Sequence, residues 1–403
     1  MAVPMSGPDD LRLGAVTALD AVTACLDALR RVDAETNAVA AFEDERAQAD
    51  AARLDEAFAA TGPVGPLHGL PITVKDWIDV EGFVCAGDGG RSPERRPEQD
   101  ATVVARLRRA GAVVVAKTRP WGAGPRVTHP LDPARSVGGS SSGEAVVVAT
   151  GASPLGIGSD SGGSIRLPAA WCGVYGLKPT AGLVPTTGHF PRVGALSDGR
   201  TQIGPLARTV DDLERVLGVI AGPDWRDGGV VPVPVRSSAS VDLSDARIAV
   251  VGGAGIAQPE VTDAVERAAA VFEAAGATRV AWIDSWLDDG LDVTERYWNR
   301  TGLTGAEAAG QLWDWDRYRR RYLQAAEHVD LVLSPAAKEA APVDREIGRE
   351  DFLFTLPASL TGSPAVVVPW GRDDAEMPLS VQIVGRPWED HRVLAAARIL
   401  EGE

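Results

Sequence analysis

Residues 138–168 read GGSSSGEAVVVATGASPLGIGSDSGGSIRLP, two glycine–serine clusters around a short apolar run. Ser140 and Ser164 mark the two clusters. Glycine permits tight turns, positive φ and N–H groups aimed at a ligand. A serine in such a turn exposes its hydroxyl beside backbone donors. Acyl transfer needs both of these things, a nucleophile and a place for the oxyanion. The apolar run GEAVVVATGAS between the clusters reads as a short buried helix.

Working outward, PITVKDWIDV (71–80) reads as a buried strand, ATVVARLRRAG as a helix ending at glycine, and AVVVAKT as a strand. Residues 15–60 carry apolar positions at helical spacing, up to the break GPVGPLHG. TVDDLERVLGVIAG reads as an amphipathic helix capped by Thr209, with Asp211 and Asp212 as helix-start charges. ARIAVVGG, VTDAVERAAAVFEAAG and TRVAWID give a β-α-β pattern. Residues 290–328 read as helical, VDLVLSP, LPASLTGSPAVVVPWG and PLSVQIVG as strands, and DHRVLAAARILEGE as a closing helix. Helices alternating with buried strands predict an α/β fold. The expected organisation is one domain over 1–403. It comprises an N-terminal helical segment (1–62), a catalytic core (63–222), a Pro/Gly/Ser-rich linker (223–245) and a C-terminal α/β portion (246–403).

The chain has 403 residues, 45% hydrophobic and 24% charged, enough for a large core. Its net charge of −16 argues against nucleic acid or an anionic membrane as the main partner. Three dispersed cysteines, Cys25, Cys85 and Cys172, form neither a disulfide framework nor a zinc pattern, and Cys172 reads as core. No signal-peptide pattern opens the chain and no stretch has the length of a membrane span, so a reducing cytoplasm is the expected location. Of the forty lysines and arginines only four are lysines: Lys75, Lys117, Lys178 and Lys338. Where arginine is used so freely, a lysine marks a position arginine cannot serve, because only lysine can lose its proton. Lys117 reads as a strand-end charge and Lys178 as a loop residue supporting the site.

A serine hydroxyl is a weak nucleophile until a base takes its proton. None of the five histidines (His68, His129, His189, His328, His391) lies in a glycine–serine cluster. Lys75 follows the apolar run Pro71–Val74, and burial would favour its neutral form. Asp76 and Asp79 oppose this unless they point away.

GLPITVKD, GGSSSGE, GIGSDSGGSIRLPAAWCGVYGLKPT and PLSVQIVGRPWEDHRVL together resemble the amidase signature family, from about Leu67 to the C-terminus. The resemblance implies that family's fold, a large mixed β-sheet enclosed by helices in a single domain. It also implies a Ser–cis-Ser–Lys triad, with Ser164 as nucleophile, Ser140 as the cis-peptide serine relaying the proton and Lys75 as base. By the same resemblance the N–H groups of Ser161, Gly162, Gly163 and Ser164 form the oxyanion hole. Asp160 and Arg166 brace the loop, and Ser141 hydrogen-bonds near the relay serine. Neither metal nor organic cofactor is implied. Ser142 stands where that family commonly has glycine and Glu144 where it commonly has serine. The stretch from Lys117 to Ser140 is short, and GFVCAGD replaces a commoner turn. These departures bear on the substrate.

Two other readings exist. Gly139–Gly143 matches G-x-S-x-G with Ser141 central, although the preceding segment is a proline-containing loop where an α/β-hydrolase elbow needs a strand. Gly253–Gly255 faintly matches a dinucleotide loop but lacks the third glycine, and reads as a turn. Of the aromatic residues, Trp282, Trp286, Trp298, Trp313, Trp315 and Tyr318 read mostly as packing, with Trp77 and Trp171 as pocket candidates. The expected function is an amidohydrolase acting on a small-molecule amide through an acyl-enzyme. Transfer of the acyl group, or service within an amidotransferase, is the alternative. No nucleic-acid or membrane partner is expected, and a homodimer is allowed.

Overall fold

The computed structural model describes residues 8–403 apart from 88–91, 93, 194–198, 254, 283–285 and 300–301. The first seven residues, the middle of the Gly253–Gly255 turn and the end of TRVAWID therefore lie outside the described residues. Eleven strands among those described join one mixed sheet. In chain order they are β1 Val39–Phe42, β2 Pro71–Lys75, β3 Val113–Thr118, β4 Leu155–Asp160, β5 Tyr175–Lys178, β6 Gln202–Ala207, β7 Arg247–Val250, β8 Thr278–Val280, β9 Leu331–Pro335, β10 Ala365–Arg372 and β11 Pro378–Gly385. Their spatial order is β1-β3-β2-β4-β6-β5-β10-β11-β9-β7-β8. The first six strands in sequence thus form one half of the sheet and the last five the other, meeting where β5 pairs antiparallel with β10.

The strands separate two apolar layers by the two-residue alternation of extended chain. Val114, Val366 and Val368 face one core cluster with helices Thr102–Arg109, Val210–Ile220, Pro259–Ala274 and Asp390–Glu401. Val113, Val115 and Val367 face the other, with helices Ala18–Thr36, Ser142–Ala149 and Arg166–Cys172. Central strands coated on both faces read as near-continuous apolar runs, as VVVA and AVVV do here. The molecule is therefore a single α/β domain with its sheet enclosed by helices. No described helix is long and apolar enough to cross a membrane.

The structure differs from the sequence expectations in places. The helical stretch 15–60 is two helices, Ala18–Thr36 and Asp44–Thr61, with the edge strand β1 between them. Asn37 ends the first helix at φ 55°, and the Arg119 guanidinium holds the Asn37 and Val39 carbonyls. A four-residue edge strand is too short to show a period of its own. LPASLTGSPAVVVPWG opens as a helix, Leu356–Thr361, before β10 begins. Residues 290–328 hold parts of two helices, Trp286–Trp298 and Gly305–Ala325. The Thr209 hydroxyl accepts from the Asp212 N–H as the cap of Val210–Ile220, and GEAVVVA is helical as expected.

Candidate active site

Strands β3, β2 and β4 are adjacent and mutually parallel, so their carboxyl ends leave the sheet on one edge. Loops that diverge from such an edge open a crevice where α/β sheets hold ligands. β2 ends at Lys75, β3 at Thr118 and β4 at Asp160. The two glycine–serine turns follow on either side of the helix Ser142–Ala149 and are tied together by the Ser141 N–H donating to the Ser164 carbonyl at 3.0 Å.

Lys75 is fully buried. Its Nζ lies 2.7 Å from the Ser140 Oγ, 3.1 Å from the Ser159 Oγ and 3.3 Å from the Ser159 carbonyl. It also sits 4.2 Å from the centre of the Trp77 ring. The peptide bond from Gly139 to Ser140 is cis. Burial drives the Lys75 amine down to about 7, against the pull of Asp160 and Glu144 toward the ammonium form. Asp76 and Asp79 are engaged elsewhere. Asp76 accepts the Gly87 N–H, and Asp79 holds Arg95 through two contacts of 2.7 and 2.8 Å. The opposing carboxylate that the sequence does not reveal is Glu144. Buried between the Thr73 and Thr118 hydroxyls, it is itself pushed up to about 7 by desolvation.

The second turn is shaped by a buried ion pair. The Asp160 carboxylate takes two contacts of 3.0 Å from Arg166, and accepts the N–H groups of Gly163 (2.7 Å) and Ile165 (3.1 Å). Burial alone would raise that carboxyl, but the Arg166 guanidinium and these N–H groups hold it below the usual carboxylate range. Arg166 also donates to the Thr355 carbonyl, the Gln382 Oε1 and the Ser359 Oγ, each at 2.7 Å. Gly163 has φ 137°, and a Cβ there would meet the Thr355 Oγ1 at 2.3 Å, so glycine is required. The Thr355 hydroxyl in turn donates to the Gly162 carbonyl. One expectation is corrected here. The Gly163 N–H, read as an oxyanion donor, is taken by Asp160, which leaves the N–H groups of Ser161, Gly162 and Ser164 for that role. Ser164 itself is half-buried beside them.

Trp171 also departs from expectation. It is 1% exposed, packs in a core cluster with Leu167 and Leu379, and donates its Nε1 to the Glu339 carbonyl. It supports the Gly138 turn from behind and does not line the mouth. Ser141 is buried with its hydroxyl donated to the Ser159 carbonyl, which leaves no exposed nucleophile for the G-x-S-x-G reading. Trp286 and Tyr318 pack together as expected, but Trp298 is 40% exposed and lies over Gly162. Trp121, 48% exposed, covers Gly139 with Ile347, and Phe352 lies against Gly163. These rim residues, with Ser159 and His189, come from distant parts of the chain and carry no local signal.

The lysine bias has a structural counterpart. Lys117 and Lys178 are as fully buried as Lys75, whereas Lys338 pairs with Glu350 at the surface. Lys117 donates to the Ile78 carbonyl and Lys178 to the Pro179 carbonyl.

Comparison with known proteins agrees with this geometry. The family model described as Amidase matches residues 20–300 and 303–394. The chain is 31% identical to the A chain of the Glutamyl-tRNA(Gln) amidotransferase of Synechococcus sp. (strain RCC307), over 98% of this chain and 95% of that one. Among solved structures, one from a vestigial protein complex bearing on the origins of an s-triazine catabolic enzyme superposes with a TM-score of 0.87 at 28% identity, covering 98% of this chain and 97% of that one. A 6-aminohexanoate cyclic dimer hydrolase bound to substrate superposes with a TM-score of 0.85 at 25% identity, covering 99% and 96%.

Proposed function

The chain belongs to the amidase signature family, and we propose that it cleaves the C–N bond of a small carboxamide by way of an acyl-enzyme on Ser164. The observation that carries this reading is the buried Lys75 amine, brought to about 7 and 2.7 Å from the Ser140 hydroxyl. In its neutral form Lys75 accepts the Ser140 proton while Ser140 accepts that of Ser164. The Ser164 Oγ then attacks the carbonyl carbon. The oxyanion faces the Ser161, Gly162 and Ser164 N–H groups. The reverse route protonates the departing amine or ammonia, and water releases the acid from the ester. The apolar rim of Trp121, Trp298, Phe352 and Ile347 favours an acyl group with apolar surface.

A second reading shares the first step. The relatives named as Glutamyl-tRNA(Gln) amidotransferase components match nearly end to end, and this favours an ammonia-delivering or acyl-transferring component over a free hydrolase. Two measurements separate them. A screen of aliphatic, aromatic and peptide amides with ammonia detection supports the hydrolase if the isolated chain turns over many equivalents. Hydroxylamine added to the same reactions supports transfer if hydroxamate displaces the acid as main product. Ser164→Ala is expected to abolish either activity while the fold survives. Retained turnover would refute Ser164 as nucleophile.

A further inference from the structure

His189 lies between β5 and β6 and is locked against the segment following β2. Its backbone bridges Ile78, and the flanking Gly188 carbonyl and Phe190 N–H pair with Asp79 and Trp77. Its side chain is buried. The Nδ1 lies 2.8 Å from the Pro191 carbonyl and the Nε2 3.0 Å from the Ser159 Oγ. A carbonyl only accepts, so Nδ1 carries the proton and the neutral ring leaves Nε2 as an acceptor. The Ser159 hydroxyl then donates to His189 and turns its oxygen lone pairs toward Lys75, 3.1 Å away.

We propose that His189 is a positioning residue, holding the Ser159 hydroxyl as an acceptor toward Lys75 so that the lysine lone pair is left to Ser140. The inference rests on the reading of Lys75 as base. With Ser159 so held, neutral Lys75 gives its two N–H bonds to the Ser159 carbonyl and hydroxyl and presents its lone pair to the Ser140 hydroxyl. After taking the proton, the ammonium gives three N–H bonds to the same three oxygens. The proton moves on and off without any other hydroxyl turning. Without His189, the nearest acceptor for the Ser159 hydrogen is the Lys75 nitrogen itself. That competes with Ser140 and favours the neutral amine over the ammonium. The charged groups acting on Lys75 are Asp160 at the end of β4 and Glu144 on the helix Ser142–Ala149. On the His189 side, Arg95 stacks on Phe190 and is paired with Asp79.

The test uses the full chain and an alkyl fluorophosphonate. The serine oxygen bonds to its phosphorus and fluoride leaves, so no natural substrate is needed. Labelling rates are measured across the acid limb of the pH profile, with the adduct located by mass spectrometry. His189→Leu is expected to slow labelling of Ser164 by about tenfold, the worth of one charge-assisted hydrogen bond, and to move the acid limb to lower pH. His189→Gln returns an acceptor to the Nε2 position and is expected to restore both. If the leucine variant does not fold, His189→Asn keeps a donor for Pro191 but cannot reach Ser159, and the same displacement is expected. An acid limb that stays at the wild-type pH in these variants overturns the positioning role while leaving Lys75 as base. A Lys75→Ala variant labelled at the wild-type rate, or an adduct away from Ser164, overturns the base reading and this inference with it.

Discussion

At the scale of single residues, the chemistry turns on what burial does to an amine. Lys75 is charged when free in water at neutral pH and about half neutral in its site, because desolvation outweighs the two nearby carboxylates. The value of kcat/KM is expected to rise with pH through about 7 as Lys75 loses its proton. Lys75→Ala is expected to lower it by roughly 10²–10⁴-fold and to flatten that limb. Lys75→Arg is expected to be as poor as alanine, because a guanidinium keeps its proton. A pH–rate profile of each variant checks both statements, and an active arginine variant would remove Lys75 as base. The residue types needed for this chemistry are legible in the chain, since four lysines among so many arginines single out position 75, and three of the four are buried. The partners of Lys75 are not legible. Ser159 lies inside the second cluster with nothing to mark it, and His189 reaches it only through a fold that brings residues thirty positions apart into contact.

At the scale of elements, the turn Ser161–Ser164 holds its shape by a backbone that only glycine can follow at 163 and by the buried Asp160–Arg166 pair. Gly163→Ala would place a methyl group against the Thr355 hydroxyl and is expected to cost about 10²–10³ in kcat by displacing the oxyanion donors. Asp160→Asn leaves a fully buried guanidinium without its carboxylate and is expected to destabilise the protein by about 3–5 kcal/mol. Urea unfolding followed by fluorescence measures that loss, and a change below about 1 kcal/mol would show that Arg166 is satisfied without it. Strand and helix identities are readable here because apolar runs and glycine turns are local signals. The assignment of the Gly163 N–H to Asp160, and of Trp171 to the core, depends on packing directions that a linear pattern does not encode.

At the scale of the whole molecule, the buried lysine makes stability depend on pH in a definite direction. The folded state gives up the Lys75 proton near 7, whereas the unfolded chain keeps it to about 10.5. Between those values the unfolded state binds more protons, so this group's contribution to stability rises with pH and its cost is greatest at and below neutrality. Lys75→Met removes that dependence. The melting temperature of the variant minus that of wild type is expected to fall steadily from neutral pH toward 10.5. Calorimetry across that range measures it, and a difference that stays constant would mean that Lys75 is not desolvated.

The division of the sheet has a consequence of its own. All six strands on one side of the β5–β10 junction come from before residue 208, and all five on the other from after residue 246. Arg166 reaches across that junction to Thr355, Ser359 and Gln382. A protease nick in the strandless stretch between Ile220 and Arg247 would therefore break no ladder. Two polypeptides made separately from either side of it would each show an open border that the other completes. Catalysis would return only on mixing, making the enzyme a natural reporter of whether two fused partners meet.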